Sequence, residues 1–158
     1  MLVPHKIKEK SPAVLCIHGH VPEGKANLVF GDGEFGIPYG RELAEKGIVT
    51  LCPDNAGMGE RAHPSGGCDF LWRRLNLLGH DLTGYRVYDL IRGVDYLQDL
   101  PEVDETRIVV AGLSGGCWLG INDNDLIAIM HNRKLDQKNK FETKTRGKII
   151  LDLSLIHI

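Results

Sequence analysis

Gly112-Leu113-Ser114-Gly115-Gly116 places a hydroxyl between glycines two residues away on either side, directly after the apolar run Arg107-Ile108-Val109-Val110-Ala111. A serine at the tip of a strained strand-to-helix turn needs small neighbours at those two positions, because a Cβ there meets the adjoining backbone. Raised in this way, the hydroxyl sits near the first turn of a following helix, where free N–H groups and a partial positive charge favour a developing oxyanion. Such a pattern suits nucleophilic attack on an acyl carbonyl, with Ser114 as nucleophile and the backbone N–H of Gly115 as one oxyanion donor. The plainer alternative is a glycine-rich turn in which Ser114 only caps a helix. The apolar strand in front of the turn favours the first reading.

A second donor is needed, because a pair of hydrogen bonds holds a tetrahedral oxyanion better than one. His18-Gly19-His20 closes the apolar run Ala13-Val14-Leu15-Cys16-Ile17, and the backbone N–H of His20 is the candidate. The two imidazoles read as structural groups that hydrogen-bond their own loop. They do not form a metal site, since no third ligand stands nearby in the sequence. Asp54 and Arg61, in Asp54-Asn55-Ala56-Gly57-Met58-Gly59-Glu60-Arg61, read as loop organisers at the carboxyl edge of a second strand. A competing motif, Gly31-x-Gly33-x-x-Gly36, follows Leu28-Val29-Phe30 and precedes a helix and then Asp54, which imitates a dinucleotide fingerprint. Its leading run is short, however, and flanked by Ala26-Asn27, which is weak for a first central strand.

The elements that must hold these residues alternate. Ala13–Ile17, Ile48–Cys52 and Arg107–Ala111 are apolar runs of the kind buried on both faces of a parallel sheet. A helix runs from about Pro38 to Lys46 and is closed by Gly47. Another runs from Leu82 to Leu100, with Tyr85, Tyr88, Ile91, Val94 and Leu97 as its apolar stripe and Asp81 or Thr83 as its cap. Pro53–Phe70, rich in glycine and proline, reads as a long surface loop that rims a pocket. Strands alternating with helices imply an α/β fold with a parallel sheet flanked by helices. After Trp118 the chain turns polar and lysine-rich, and only a helix over Asp125–Lys134 and a strand over Lys148–Leu153 suggest themselves.

Composition narrows the partners. The chain has 158 residues, 42% of them hydrophobic and 25% charged, with a formal charge of -2. That suits one soluble globular domain and supplies no positive field for nucleic acid or an anionic membrane. No run approaches the ~18 apolar residues of a membrane-spanning helix. The opening Met1–Lys10 lacks the apolar core of a secretory signal, so the chain as it stands reads as cytoplasmic, with a signal ahead of it left open. Cys16, Cys52, Cys68 and Cys117 fit neither a disulfide framework nor a CxxC metal pair and read as buried or partly buried thiols.

An ordered series of these segments resembles the α/β-hydrolase superfamily. It comprises Pro12-Ala13-Val14-Leu15-Cys16-Ile17-His18-Gly19-His20, Tyr39-Gly40-Arg41-Glu42-Leu43-Ala44-Glu45-Lys46-Gly47, Pro53-Asp54 with Gly57-x-Gly59-Glu60-Arg61, Pro101-Glu102-Val103-Asp104-x-x-Arg107-Ile108, and Gly112-x-Ser114-x-Gly116. The likeness spans about residues 2 to 118 and is greatest to the acetyl xylan esterase and dienelactone-hydrolase-like branch. True dienelactone hydrolases carry cysteine where this chain has Ser114, so the resemblance implies an esterase or deacetylase acting on a small-molecule or carbohydrate ester, with no metal or organic cofactor.

In that superfamily an acid and then a histidine follow the serine on loops after later strands. No such loops are recognisable here: Asp152 and His157 stand too close together, and Asp125 with His131 lacks context. The resemblance therefore implies a fragment at both ends, with early and late strands missing and with weak or no activity of its own. Leu2-Val3-Pro4 looks like the end of a lost hairpin. Leu153-Ser154-Leu155-Ile156-His157-Ile158 resembles translated sequencing-adaptor sequence. The expected organisation is a partial α/β-hydrolase domain over residues 1–120 and a tail over 121–158 whose native character is left open. The rivals are a dinucleotide-binding domain and a non-catalytic fragment.

Overall fold

The computed structural model describes residues 1–4, 10–33 and 36–116. They form a three-stranded, wholly parallel sheet in the order β2-β1-β3, with β1 at Ser11–Ile17, β2 at Val49–Leu51 and β3 at Val103–Gly112. The helices are α1 at Lys25–Val29, α2 at Tyr39–Glu45, α3 at Cys68–Leu77 and α4 at Leu82–Asp99. A short 3-10 turn lies at Gly59–Arg61.

The central position of β1 follows from its unbroken apolar run. Side chains alternate across a strand, so a strand with helices on both sides must be apolar at every position. Ala13, Leu15 and Ile17 pack with Leu90, Val94 and Leu97 of α4, and with Val49 and Val103. Val14 and Cys16 point the other way, into a cluster with Leu28, Cys52, Tyr39 and Leu43. The result is a helix–sheet–helix sandwich, the parallel α/β arrangement implied by the sequence. Leu2 extends the sheet through an antiparallel pair with Thr50, with hydrogen bonds of 2.8 and 3.0 Å.

The expected helix before Gly47 spans Tyr39–Glu45, with Pro38 just ahead of it. The long helix opens where expected: the Asp81 carboxylate accepts the N–H of Gly84 at 2.9 Å, an N-cap bond. Its buried stripe differs from the one read in the sequence. Leu82, Leu90, Val94 and Leu97 are buried, whereas Tyr85 and Tyr88 are exposed. A strict three-residue spacing drifts around a helix of 3.6 residues per turn, so the two tyrosines rotate off the face that meets the sheet.

Two further expectations are corrected, and the rival dinucleotide motif loses its context. Pro53–Phe70 is not simply a surface loop: it contains the 3-10 turn and the start of α3, and Asp54, Asn55, Ala56 and Met58 are buried. Its glycines mask a segment folded inward around polar anchors. Secondly, β3 begins at Val103, earlier than the run Arg107–Ala111, because Ser11 pairs with Val103 across a register irregularity. As for the rival motif, Leu28-Val29-Phe30, already weak as a strand in the sequence, is none. Leu28 and Val29 end α1, Leu28 is fully buried against the sheet and Phe30 is exposed. Gly31 and Gly33 thus follow a helix, and the strand–loop–helix context of a dinucleotide fingerprint is missing.

Cys16 and Cys52 are buried free thiols and Cys68 is partly buried. Among the described residues no helix is long and apolar enough to cross a membrane. Cys117, the expected elements after Trp118 and the tail over 121–158 lie outside the described residues.

Candidate active site

The parallel pair β1/β3 ends with Ile17 opposite Gly112, and the chain leaves both strands at the same edge. Leu113 donates its N–H back to Ile17 O at 3.2 Å, which holds the two departing loops together. Ser114 follows with φ 51°, the one non-glycine residue with positive φ among those described. Its side chain is on an exposed residue rather than in the core, and the backbone turns helical at Gly115 and Gly116. A β-carbon in this left-handed region costs about 1–2 kcal/mol, so tertiary contacts must hold the turn.

Those contacts are with His18-Gly19-His20. A Cβ on Gly116 would overlap the Ile17 carbonyl oxygen and stand 2.7 Å from that of His18. One on Gly115 would lie 3.3 Å from His20 N, and one on Gly19 would lie 3.5 Å from Ser114 Cβ. The backbones of the two loops touch, and only glycine permits the approach at Gly116. Ser114, Gly115 and His20 are therefore neighbours, although more than 90 residues of chain separate His20 from the serine turn. Among the described residues, neither the N–H of His20 nor that of Gly115 is donated to a protein acceptor.

His18 is fully buried and serves structure. Its Nε2 accepts the N–H of Asn55 at 2.9 Å, which leaves the ring proton on Nδ1 to be donated to Gly19 O at 2.6 Å. Asn55 Nδ2 also donates to His18 O at 3.4 Å. Burial holds the imidazole below the ordinary histidine pKa, against the opposing pull of the Gly19 carbonyl. With both ring nitrogens engaged, His18 has no free lone pair with which to accept the serine proton.

Asp54 anchors the loop from β2. Its carboxylate accepts the Lys25 N–H at 2.6 Å, the Lys25 ammonium at 2.6 Å and the Glu60 N–H at 3.1 Å. Burial pushes its pKa up, but these hydrogen bonds and the Lys25 charge outweigh that and hold it below the usual carboxylate value. Gly24 and Gly59, at φ 59° and 54°, leave room for the Asp54 oxygens that a Cβ on either would strike. Arg61 donates to Asp54 O at 3.1 Å and pairs with Asp89 at 2.6 Å. Both residues organise the loop, and Lys25 is the charged partner of the Asp54 carboxylate.

The sequence reading missed Asn55 and Lys25, since neither lies in a motif with a fixed spacing to His18 or Asp54. Asp125, His131, Asp152 and His157 lie outside the described residues. No cluster of three His, Cys, Asp or Glu side chains suited to a metal occurs among the described residues.

A family model described as the abhydrolase family matches residues 1–149. The chain belongs to the α/β-hydrolase family. One relative within reach of sequence comparison is YtaP, a provisionally named hydrolase of Bacillus subtilis strain 168, 30% identical over 117 residues that make up 72% of this chain and 38% of YtaP. Among solved structures, a provisionally named acetyl xylan esterase from Bacteroides fragilis superposes with a TM-score of 0.62 at 25% identity, covering 75% of this chain and 35% of that one. The described residues are accordingly part of an α/β-hydrolase fold, and the chain spans under two fifths of either protein's length.

Proposed function

We propose that this chain carries the nucleophile and oxyanion donors of a serine esterase or deacetylase, acting on the carboxylic ester of a small molecule or carbohydrate. The reading rests on one observation: Ser114 stands exposed at φ 51°, with its turn in backbone contact with Gly19 and His20. A strained residue in a left-handed turn is destabilising unless the surroundings impose it, which makes such outliers pointers to function.

In the proposed reaction the Ser114 Oγ attacks the ester carbonyl carbon, and the carbonyl oxygen becomes an oxyanion. The N–H groups of His20 and Gly115 donate to it. A base takes the serine proton and delivers it to the departing alkoxide, leaving an acyl-serine that water then cleaves. His18 does not supply that base, because its Nε2 is occupied by Asn55. In the superfamily's chain order the acid and the base follow the serine, and Asp125, His131, Asp152 and His157, which stand in that part of the sequence, lie outside the described residues. No organic cofactor or metal takes part in this scheme.

The test is labelling with a fluorophosphonate probe, which reacts with activated serines. Peptide mapping should place the adduct on Ser114, and Ser114→Ala should abolish it. An adduct that survives the substitution would move the nucleophile elsewhere. A folded chain that does not label at all would favour a non-catalytic fragment.

A further inference from the structure

We infer that Tyr39 is a positioning residue of this site, its hydroxyl setting the spacing between the oxyanion loop and the serine turn. The inference rests on the reading of Ser114 as nucleophile. Tyr39 opens α2, on the far side of the sheet from α4, and its ring packs with the Val14, Cys16, Leu28 and Cys52 cluster. Its hydroxyl lies 3.0 Å from Ile17 O and 3.3 Å from Ala111 O. Those carbonyls belong to different strands at the edge where the ladder ends. Ile17 immediately precedes His18-Gly19-His20, and Ala111 immediately precedes Gly112-Leu113-Ser114.

A phenol has one proton to donate, so the hydroxyl is shared between the two acceptors and draws both toward one point. It reinforces the Leu113 N–H bond to Ile17 O, the last main-chain link before the loops diverge. Burial pushes the phenol pKa above its ordinary value, so the group stays a donor at working pH. Without the hydroxyl, Ala111 O loses this donor and Ile17 O keeps only one such link. The strand ends can then separate, and a shift of a fraction of an ångström at Ser114 relative to His20 weakens an oxyanion hole more than it weakens ground-state binding.

The experiment compares Tyr39→Phe with wild type in the whole chain, using Ile108→Val as a mild core lesion in the same sheet. Two quantities are read per folded molecule: the rate of fluorophosphonate labelling at Ser114 and the amide hydrogen exchange of Leu113. Tyr39→Phe should slow labelling about five-fold and speed Leu113 exchange about ten-fold, while Ile108→Val leaves both near wild type at an equal or greater loss in unfolding midpoint. Wild-type labelling in folded Tyr39→Phe overturns the inference, whether or not exchange changes. Equal slowing in Ile108→Val overturns it too, since general loosening would then explain the effect. A wild-type chain that does not label defeats the Ser114 reading and this inference with it, whereas a labelled wild type with an unaffected Tyr39→Phe defeats this inference alone.

Discussion

Replacing Ser114 by alanine and by glycine should separate the chemistry of its hydroxyl from the strain in its backbone. Both changes remove the proposed nucleophile, so both should end fluorophosphonate labelling. They differ in stability, and the sign of the difference is diagnostic. Alanine keeps a Cβ at φ 51°, which costs about 1–2 kcal/mol in the left-handed region. Glycine escapes that cost but gives the unfolded chain extra freedom, a loss of about 0.5–1 kcal/mol relative to alanine. The residue is exposed, so neither substitution opens a cavity and no burial difference obscures the comparison. At the midpoints of the two ranges the balance leaves the glycine variant more stable by about 0.75 kcal/mol.

At an ordinary helix or strand position the same pair ranks the other way by a similar amount. With an m-value of about 2 kcal/mol/M in urea, the glycine variant should unfold about 0.4 M later than the alanine variant. Equilibrium unfolding followed by fluorescence or circular dichroism measures this directly. A glycine variant less stable than the alanine variant would refute the strained turn, and with it the observation that supports Ser114 as nucleophile.

Gly116→Ala should cost about 2 kcal/mol or more, because its Cβ would overlap Ile17 O and crowd His18 O; an unchanged urea midpoint would show that the two loops are not in contact. His18 is held below its ordinary pKa of 6.5 by burial, so the unfolded chain binds its proton first and the stabilising contribution, complete above pH 6.5, is lost as pH falls through the folded value. The fall in unfolding midpoint between pH 8 and pH 5.5 should therefore be shallower in His18→Gln; identical slopes would contradict a buried neutral imidazole. Asp54, also held below its ordinary value of 3.8, contributes stability that is present above that pH and fades as pH falls through its folded pKa. Asp54→Asn should be less stable at pH 7 and show a flatter acid limb, and an acid limb as steep as wild type would mean that the Lys25 interaction is absent.

The sheet was legible because its signals are local. Ala13–Ile17 has no polar position to offer solvent, so it could be little other than a strand covered on both faces. Leu82–Asp99 was legible as a helix, but its inward stripe was not, since a count in threes and the true 3.6-residue turn separate over five turns. The Pro53–Phe70 segment misled for a related reason. Its glycines signal turns correctly, yet what draws Asp54 and Asn55 inward is a lysine on α1 and a histidine at the end of β1, and no spacing rule connects those residues.

The same distinction governs the site. Ser114, the proposed nucleophile, stands out in the sequence because such a turn needs its glycines within a few residues, and His20, the proposed second donor, because it closes the loop after the neighbouring apolar run. What joins them is long-range: Leu113 to Ile17, Gly116 against His18 O, and the Tyr39 hydroxyl across Ile17 and Ala111. Each of these contacts ends on backbone rather than on a side chain of matching type, so the partner leaves no imprint of its identity in the sequence. A site built on main-chain contacts between two adjacent strand ends should consequently tolerate changes in the side chains of His20 or Leu113 better than any change that moves the two strand ends apart.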